Sequence, residues 1–262
     1  MDDSSSKGAA KSVLSHAKKS IKKKLYHLTG WDSELGPPEP DPELFALINY
    51  QPWNIEDRQR YNDKAVYRHV QENPRSVQVE YEFRNANGRG LIRSFPLNRI
   101  IALGASMRTV ETVYNAHPPA MVATTEFKST PLHAACSYAA SLDVIEFILQ
   151  HNPDAIRQTT KHVFLPIHNA CQATIPQSTT LPVMQRLVQA FPESLSRIHK
   201  LGETPLKMVQ RNPHSRPEIV EYLEHETANH LTAAKSSSVA SSSSSSSDQF
   251  TSSTTEYSVK TV

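Results

Sequence analysis

One three-residue pattern, a proline followed by an apolar and then a polar residue, recurs at Pro52, Pro96, Pro131, Pro166 and Pro205. The intervals are 44, 35, 35 and 39 residues. Further columns keep this register. Ten residues after each proline, or fourteen in the fourth copy, stand Asn62, Ser106, Ser141, Thr180 and Ser215. All are residue types that cap a helix by accepting a backbone N–H bond. Four residues past each cap come Val66, Val110, Ile145, Met184 and Ile219, and four further on Val70, Tyr114, Leu149, Val188 and Leu223. Positions i and i+4 share one helix face, so each unit has a helix with one apolar stripe. Pro74, Pro118, Pro153 and Pro192 then stop that helix, because proline lacks the helical N–H; the last copy has no such stop. Self-similarity at this period predicts an all-α repeat solenoid of about five units, each burying its apolar face on the next.

Each unit reads as a short helix opened by proline, a capped second helix and a loop. Residues Thr130-Pro131-Leu132-His133-Ala134-Ala135 match the T-P-L-H-x-A signature of ankyrin repeats, and Gly202-Glu203-Thr204-Pro205-Leu206 matches the turn leading into it. The chain therefore resembles an ankyrin repeat protein over about residues 50–228, in a variant form with units longer than the usual ~33 residues. Asn-Pro and Phe-Pro replace the usual helix-ending glycine. The likeness is weakest in the first unit, where Glu56 and Asp57 stand where other copies carry Ala or Cys. That departure suits either an end unit with a polar outer face or a segment that is not a true repeat.

Two insertions interrupt the period. Within "VQVEYEFRNANGRGLIRSF", Val77, Val79, Tyr81 and Phe83 alternate before an Asn- and Gly-rich turn, and Leu91 to Phe95 reads as the return strand of a long β-hairpin. Extra residues around Thr174 to Thr179 lengthen the fourth unit. Insertions in arrays map to loops and often to binding faces.

The division expected is a basic arm over 1–35, a proline-rich linker over 36–51, the array over 52–230 and a disordered serine-rich tail over 231–262. Residues 1–30 hold seven lysines against Asp2 and Asp3, a balance of +5 that leaves −3 for the rest of a chain with net charge +2. Within residues 11–28, Leu14, Ala17, Ile21, Leu25 and Leu28 fall at helical spacing among the lysines. A solvated arm, a nuclear import signal and an interfacial helix on anionic membrane all fit that pattern. Ten of the twelve residues 236–247 are serine, too polar to offset the entropy of ordering. Two cysteines give no disulfide framework, and no run of about 18 apolar residues spans a membrane. A soluble cytoplasmic or nuclear protein is expected.

His133, Cys136, His168 and Cys171 superficially suggest a four-ligand zinc site. Equivalent residues of neighbouring repeats sit a helix spacing of ~8–10 Å apart, whereas zinc holds its ligands at ~2.0–2.3 Å. The cysteines read as small apolar fillers, and by the ankyrin resemblance the histidines are hydrogen-bonding struts between loops. "HETANH" misses the H-E-x-x-H zinc signature by one residue, and no phosphate loop or nucleophile elbow occurs. No catalytic, metal or cofactor site is assigned.

The resemblance implies a protein-binding scaffold that meets its partner through loop tips and the exposed side of the first helices. By register these are Glu126, Phe127 and Ser129; Lys161, His162 and Phe164; Lys200, Leu201 and Glu203; and, on the helices, Ser137, Tyr138, Gln172 and Arg211. The expected partner is a protein or peptide, with no small-molecule substrate, and the chain is expected to be a monomer. The alternative is an adaptor whose arm, residues 11–28, contacts nucleic acid or anionic lipid.

Overall fold

The computed structural model of the protein describes residues 38–84, 90–172 and 179–243. The lysine-rich arm, the hairpin's Asn- and Gly-rich turn, most of the insertion around Pro176 and the tail past 243 lie outside them. Among the described residues there are eleven α-helices and one two-stranded antiparallel sheet. In chain order they are α1 (Pro42–Ile48), α2 (Ile55–Arg60), α3 (Asp63–Glu72), β1 (Tyr81–Arg84), β2 (Leu91–Ser94), α4 (Pro96–Leu103), α5 (Met107–Ala116), α6 (Pro131–Ser137), α7 (Leu142–His151), α8 (Pro166–Gln172), α9 (Leu181–Ala190), α10 (Pro205–Arg211) and α11 (Pro217–Ser243). This is an all-α repeat fold with a hairpin insertion. Inner helices α4, α6, α8 and α10 pack in series, and α3, α5, α7, α9 and α11 form an outer layer behind them.

The apolar columns are the core. Val66, Val110, Ile145 and Met184 are fully buried and Ile219 nearly so, as are Val70, Leu149, Val188 and Leu223. Tyr114 is half-buried and meets Phe147 edge-on at 5.3 Å. The prolines do more than stop helices. Each residue before them (Asn73, His117, Asn152, Phe191) has ψ between 67° and 77°, outside the helical region that the proline ring denies it. Each proline then opens a 3-10 turn, placing Val77, Met121, Ile156 and Leu195 back in the core. What reads as loop is ordered structure.

Four further departures from expectation have physical causes. The first concerns the stretch read as linker, where Pro42–Ile48 forms α1, capped by the Asp41 carboxylate and with Leu44 and Ile48 fully buried. It packs on α3 and α4 and covers the end of the stack. The first repeat helix opens at Ile55 behind the cap Asn54 rather than at Pro52, and buries nothing. Second, among the described residues strand pairing runs from Tyr81–Ser94 to Arg84–Leu91 and does not reach back to Val77, which belongs to a 3-10 turn. The hairpin's anchor is the Tyr81 hydroxyl, which donates to the Ser76 carbonyl at 2.7 Å and accepts from Asp41 N–H at 2.8 Å. Third, Ser215 lies two residues before α11 and does not cap it. Fourth, α11 continues through Ser243, past the point where disorder was expected, since no proline or glycine follows Pro217 to break it.

The caps also differ in strength. Asn62 accepts from Ala65 N–H at 3.1 Å, whereas Ser141 and Thr180 occupy cap positions without any side-chain bond. In urea denaturation, Ile145→Ala is therefore expected to cost ~2–5 kcal/mol as a core cavity, and Asn62→Ala about 1 kcal/mol as a lost cap. Ser141→Ala is expected to stay within about 0.5 kcal/mol of wild type. A Ser141 effect as large as that of Asn62 would show that the hydroxyl does cap α7.

Candidate functional site

Three loop tips repeat one hydrogen-bonded turn. Thr125 N–H donates to Ser129 O at 3.0 Å, Thr160 N–H to Phe164 O at 3.0 Å, and His199 N–H to Glu203 O at 3.2 Å. The fourth residue of each turn, Lys128, Val163 or Gly202, has φ between 57° and 80°. That left-handed conformation is free for glycine and strained for valine. Neighbouring tips are tied by Lys161 N–H to Phe127 O at 2.9 Å and Lys200 N–H to His162 O at 3.1 Å. Phe127, His162 and Leu201 consequently occupy equivalent places along one row, with Phe127 40% and Leu201 76% exposed.

Two buried histidines hold the row to the helices. His133 donates from Nε2 to the Phe164 carbonyl at 3.0 Å and accepts at Nδ1 from Thr130 N–H. His168 repeats this, with Nε2 on Arg197 O at 3.1 Å and Nδ1 accepting from Leu165 N–H at 3.1 Å. A donor on one side and an acceptor on the other fix the Nε2–H tautomer. Burial pushes both imidazoles down to about 4. Cys136 and Cys171 are buried free thiols with pKa raised by burial, so each behaves as a small apolar filler.

Beneath the row lies a groove of about 440 Å³. The inner helices contribute Asn98, Arg99 and Ala102 from α4, Ala134 and Ser137 from α6, and Asn169 and Gln172 from α8. The hairpin contributes Phe83, Ile92 and Ser94, and Pro52 and Trp53 also line the groove. Of the residues assigned from the sequence, Phe127, Ser129, Ser137, Tyr138, His162, Phe164 and Gln172 line this groove together. The others do not line it. Glu126 accepts from Arg93 N–H at 3.1 Å on the hairpin, Glu203 pairs with Arg211 at 2.6 Å, and Lys161, Lys200 and Leu201 project from the tips. Phe164 is only partly available, because its ring stacks on His199 at 4.6 Å.

Sequence reasoning missed Arg99, which lines the groove, and Arg58, which bonds two of its lining residues. Arg58 sits six residues after Pro52, the register of Ser137, Gln172 and Arg211, so its column could have revealed it. Its Nη1 donates to Ala102 O at 3.0 Å and Tyr138 O at 3.1 Å. Arg99, the one charged residue inside "PLNRIIAL", donates from Nε to Ile48 O at 3.2 Å and lies over the Phe83 ring at 4.2 Å. Ile48, Ala102 and Tyr138 stand at or beside helix C-termini, where orphan carbonyls carry partial negative charge. Burial lowers the pKa of both arginines, Arg99 to about 10. It raises that of the Tyr138 phenol, so the hydroxyl is neutral at physiological pH.

An Ankyrin repeat family model matches residues 128–160. The matched segment runs from the Lys128 tip through α6 and α7 to Thr160, one whole unit of the stack. Residues 128–160 are thus an ankyrin repeat, which supports an ankyrin repeat protein. No curated protein matches it. Ankyrin repeats generally mediate protein–protein interaction.

The histidine struts set an acid limit. Their folded pKa of about 4 lies below the unfolded value of 6.5, so the unfolded chain binds more protons between those limits. The stability they confer is complete above pH 6.5 and falls as pH drops towards 4, by roughly 3 kcal/mol per histidine across the window. Thermal denaturation from pH 7 to 4 is expected to show this decline. His133→Gln should be less stable at pH 7 yet lose clearly less on acidification. An equal loss in wild type and variant would remove His133 as the cause.

Proposed function

We propose that this chain is a non-catalytic scaffold or adaptor that binds a protein partner through its loop tips and the groove beneath them. The observation carrying this reading is the convergence of Phe127, Ser137, Tyr138, His162 and Gln172 on one open groove. None of these belongs to the apolar columns that hold the units together. Phe127 in particular stays 40% exposed, as an aromatic available for burial at an interface. The polar groups nearby serve the scaffold rather than chemistry. His133 and His168 have both ring nitrogens engaged, and the Ser137 hydroxyl accepts from Asn169 Nδ2 at 2.7 Å. The ankyrin repeat family is typically non-catalytic, in keeping with this assignment. Among the described residues no helix is long and apolar enough to cross a membrane.

The test uses the two row residues that line the groove. Phe127→Ala with His162→Ala is expected to leave the denaturation midpoint within about 0.5 kcal/mol of wild type, as surface changes do. Capture of partners by the full chain should fall at least about ten-fold, the loss expected of an interface anchor. Unchanged capture by a folded double variant would move the binding face elsewhere.

A further inference from the structure

Arg99 is over nine-tenths buried, at 7% exposure, and lines the groove. Its Nη2 is buried without a hydrogen bond, and among the described residues neither it nor Arg58 has a carboxylate at ion-pair distance. The acid nearest in influence is Asp57, whose carboxylate already accepts from Gln51 N–H at 2.8 Å and lies 4.0 Å from Arg60. Helix C-terminal carbonyls and the Phe83 ring offset part of the cost of burying Arg99 and partly burying Arg58. They supply no formal negative charge. An arginine remains protonated here, even with burial holding it below its usual range.

The groove's other features narrow what would complete it. Arg99 is the only Lys, Arg, Asp or Glu among its described lining residues. A polyanion such as nucleic acid or a phosphate-rich membrane engages many cations at once, whereas one cation among neutral polar and apolar walls suits one carboxylate. Two buried amide oxygens, Asn98 Oδ1 and Asn169 Oδ1, also lack partners and face the demand for N–H donors that an extended chain provides. Trp53 and Phe127 offer apolar surface in the lining.

We propose that the groove takes an extended peptide segment of a partner protein, with an Asp or Glu side chain of that segment paired to Arg99 and an apolar neighbour against Trp53 and Phe127. This rests on the protein-binding reading above and adds the chemistry of the partner.

Random twelve-residue peptides displayed on phage and selected against the full chain supply the probe. The selected peptides are expected to share an Asp or Glu beside an apolar residue. Exchanging that acid for Asn or Gln should weaken binding, read by fluorescence polarisation, at least about ten-fold, as truncating one partner of a buried charge pair does. On R99Q the same exchange should change little, while R211Q should behave as wild type. Should R99Q unfold, as judged by circular dichroism, the acid-to-amide exchange on the unaltered protein decides alone. Peptides without an acid, or indifferent to its exchange, that still need Phe127 and His162 overturn the acidic assignment and leave the groove reading standing. Peptides indifferent to Arg99, Phe127 and His162 alike overturn both. Recovery of no peptide, including the case where sedimentation shows the chain itself assembling through this face, overturns the proposal.

Discussion

Each unit of this molecule has an apolar face that it cannot bury alone. An inner helix of seven or eight residues is too short to persist in water. Leu132, Ile145 and Ile148 reach full burial only because helices of the units before and after lie against them. Stability therefore comes from nearest-neighbour interfaces, and the two ends carry a cost that interior units do not. The ends meet that cost differently. At one, α1 lays Leu44 and Ile48 over α3 and α4. At the other, α11 runs on with polar residues facing outward and Leu223 facing in.

A second set of bonds keeps the units in angular register. Apolar stacking is tolerant of rotation, but the path Thr130–His133–Phe164 O links a helix start in one unit to the loop of the next with directional bonds. His168 and Arg197 O repeat the link, and the tip ladder from Phe127 to Lys161 and His162 to Lys200 closes it on the outside. Both imidazoles are desolvated to do this. The row that presents Phe127 and His162 thus depends on bonds that require neutral histidine.

The repeat itself was legible because burial imposes the same demand in every unit, so Val66, Val110, Ile145, Met184 and Ile219 are constrained to one residue class. Features that occur once had no such column. The helix α1 follows a proline-rich stretch and its seven residues show only two core positions, Leu44 and Ile48, which no period could amplify. The 3-10 turns hide behind prolines that look like simple stops. Ser141 and Asn62 share a residue class and a cap position, yet only Asn62 makes the bond, a matter of side-chain rotation that sequence does not record. Much of the candidate groove was reachable by register. Glu126, Lys161, Lys200, Leu201, Glu203 and Arg211 were assigned with it but do not line it: Glu126 is held to the hairpin, Glu203 and Arg211 pair with each other, and Lys161, Lys200 and Leu201 project from the tips.

The hairpin and the arginines belong to one structural problem. Where the second unit would carry a plain loop, β1 and β2 rise and place Phe83 at 2% exposure against Phe45 and beneath Arg99. The aromatic ring needs cover, and the aliphatic stem and flat guanidinium of Arg99 provide it. A leucine there would cover Phe83 equally well, without the desolvation cost of a cation. It would not reach the Ile48 carbonyl, and α1 would lose a tie that fixes its C-terminus to α4. Arg58 makes the parallel bond to the ends of α4 and α6. The first turn of the solenoid is thus pinned by charge where later units are pinned by neutral imidazole. The consequence is that Arg99 is the one formal charge that the described Lys, Arg, Asp and Glu residues bring to the groove lining.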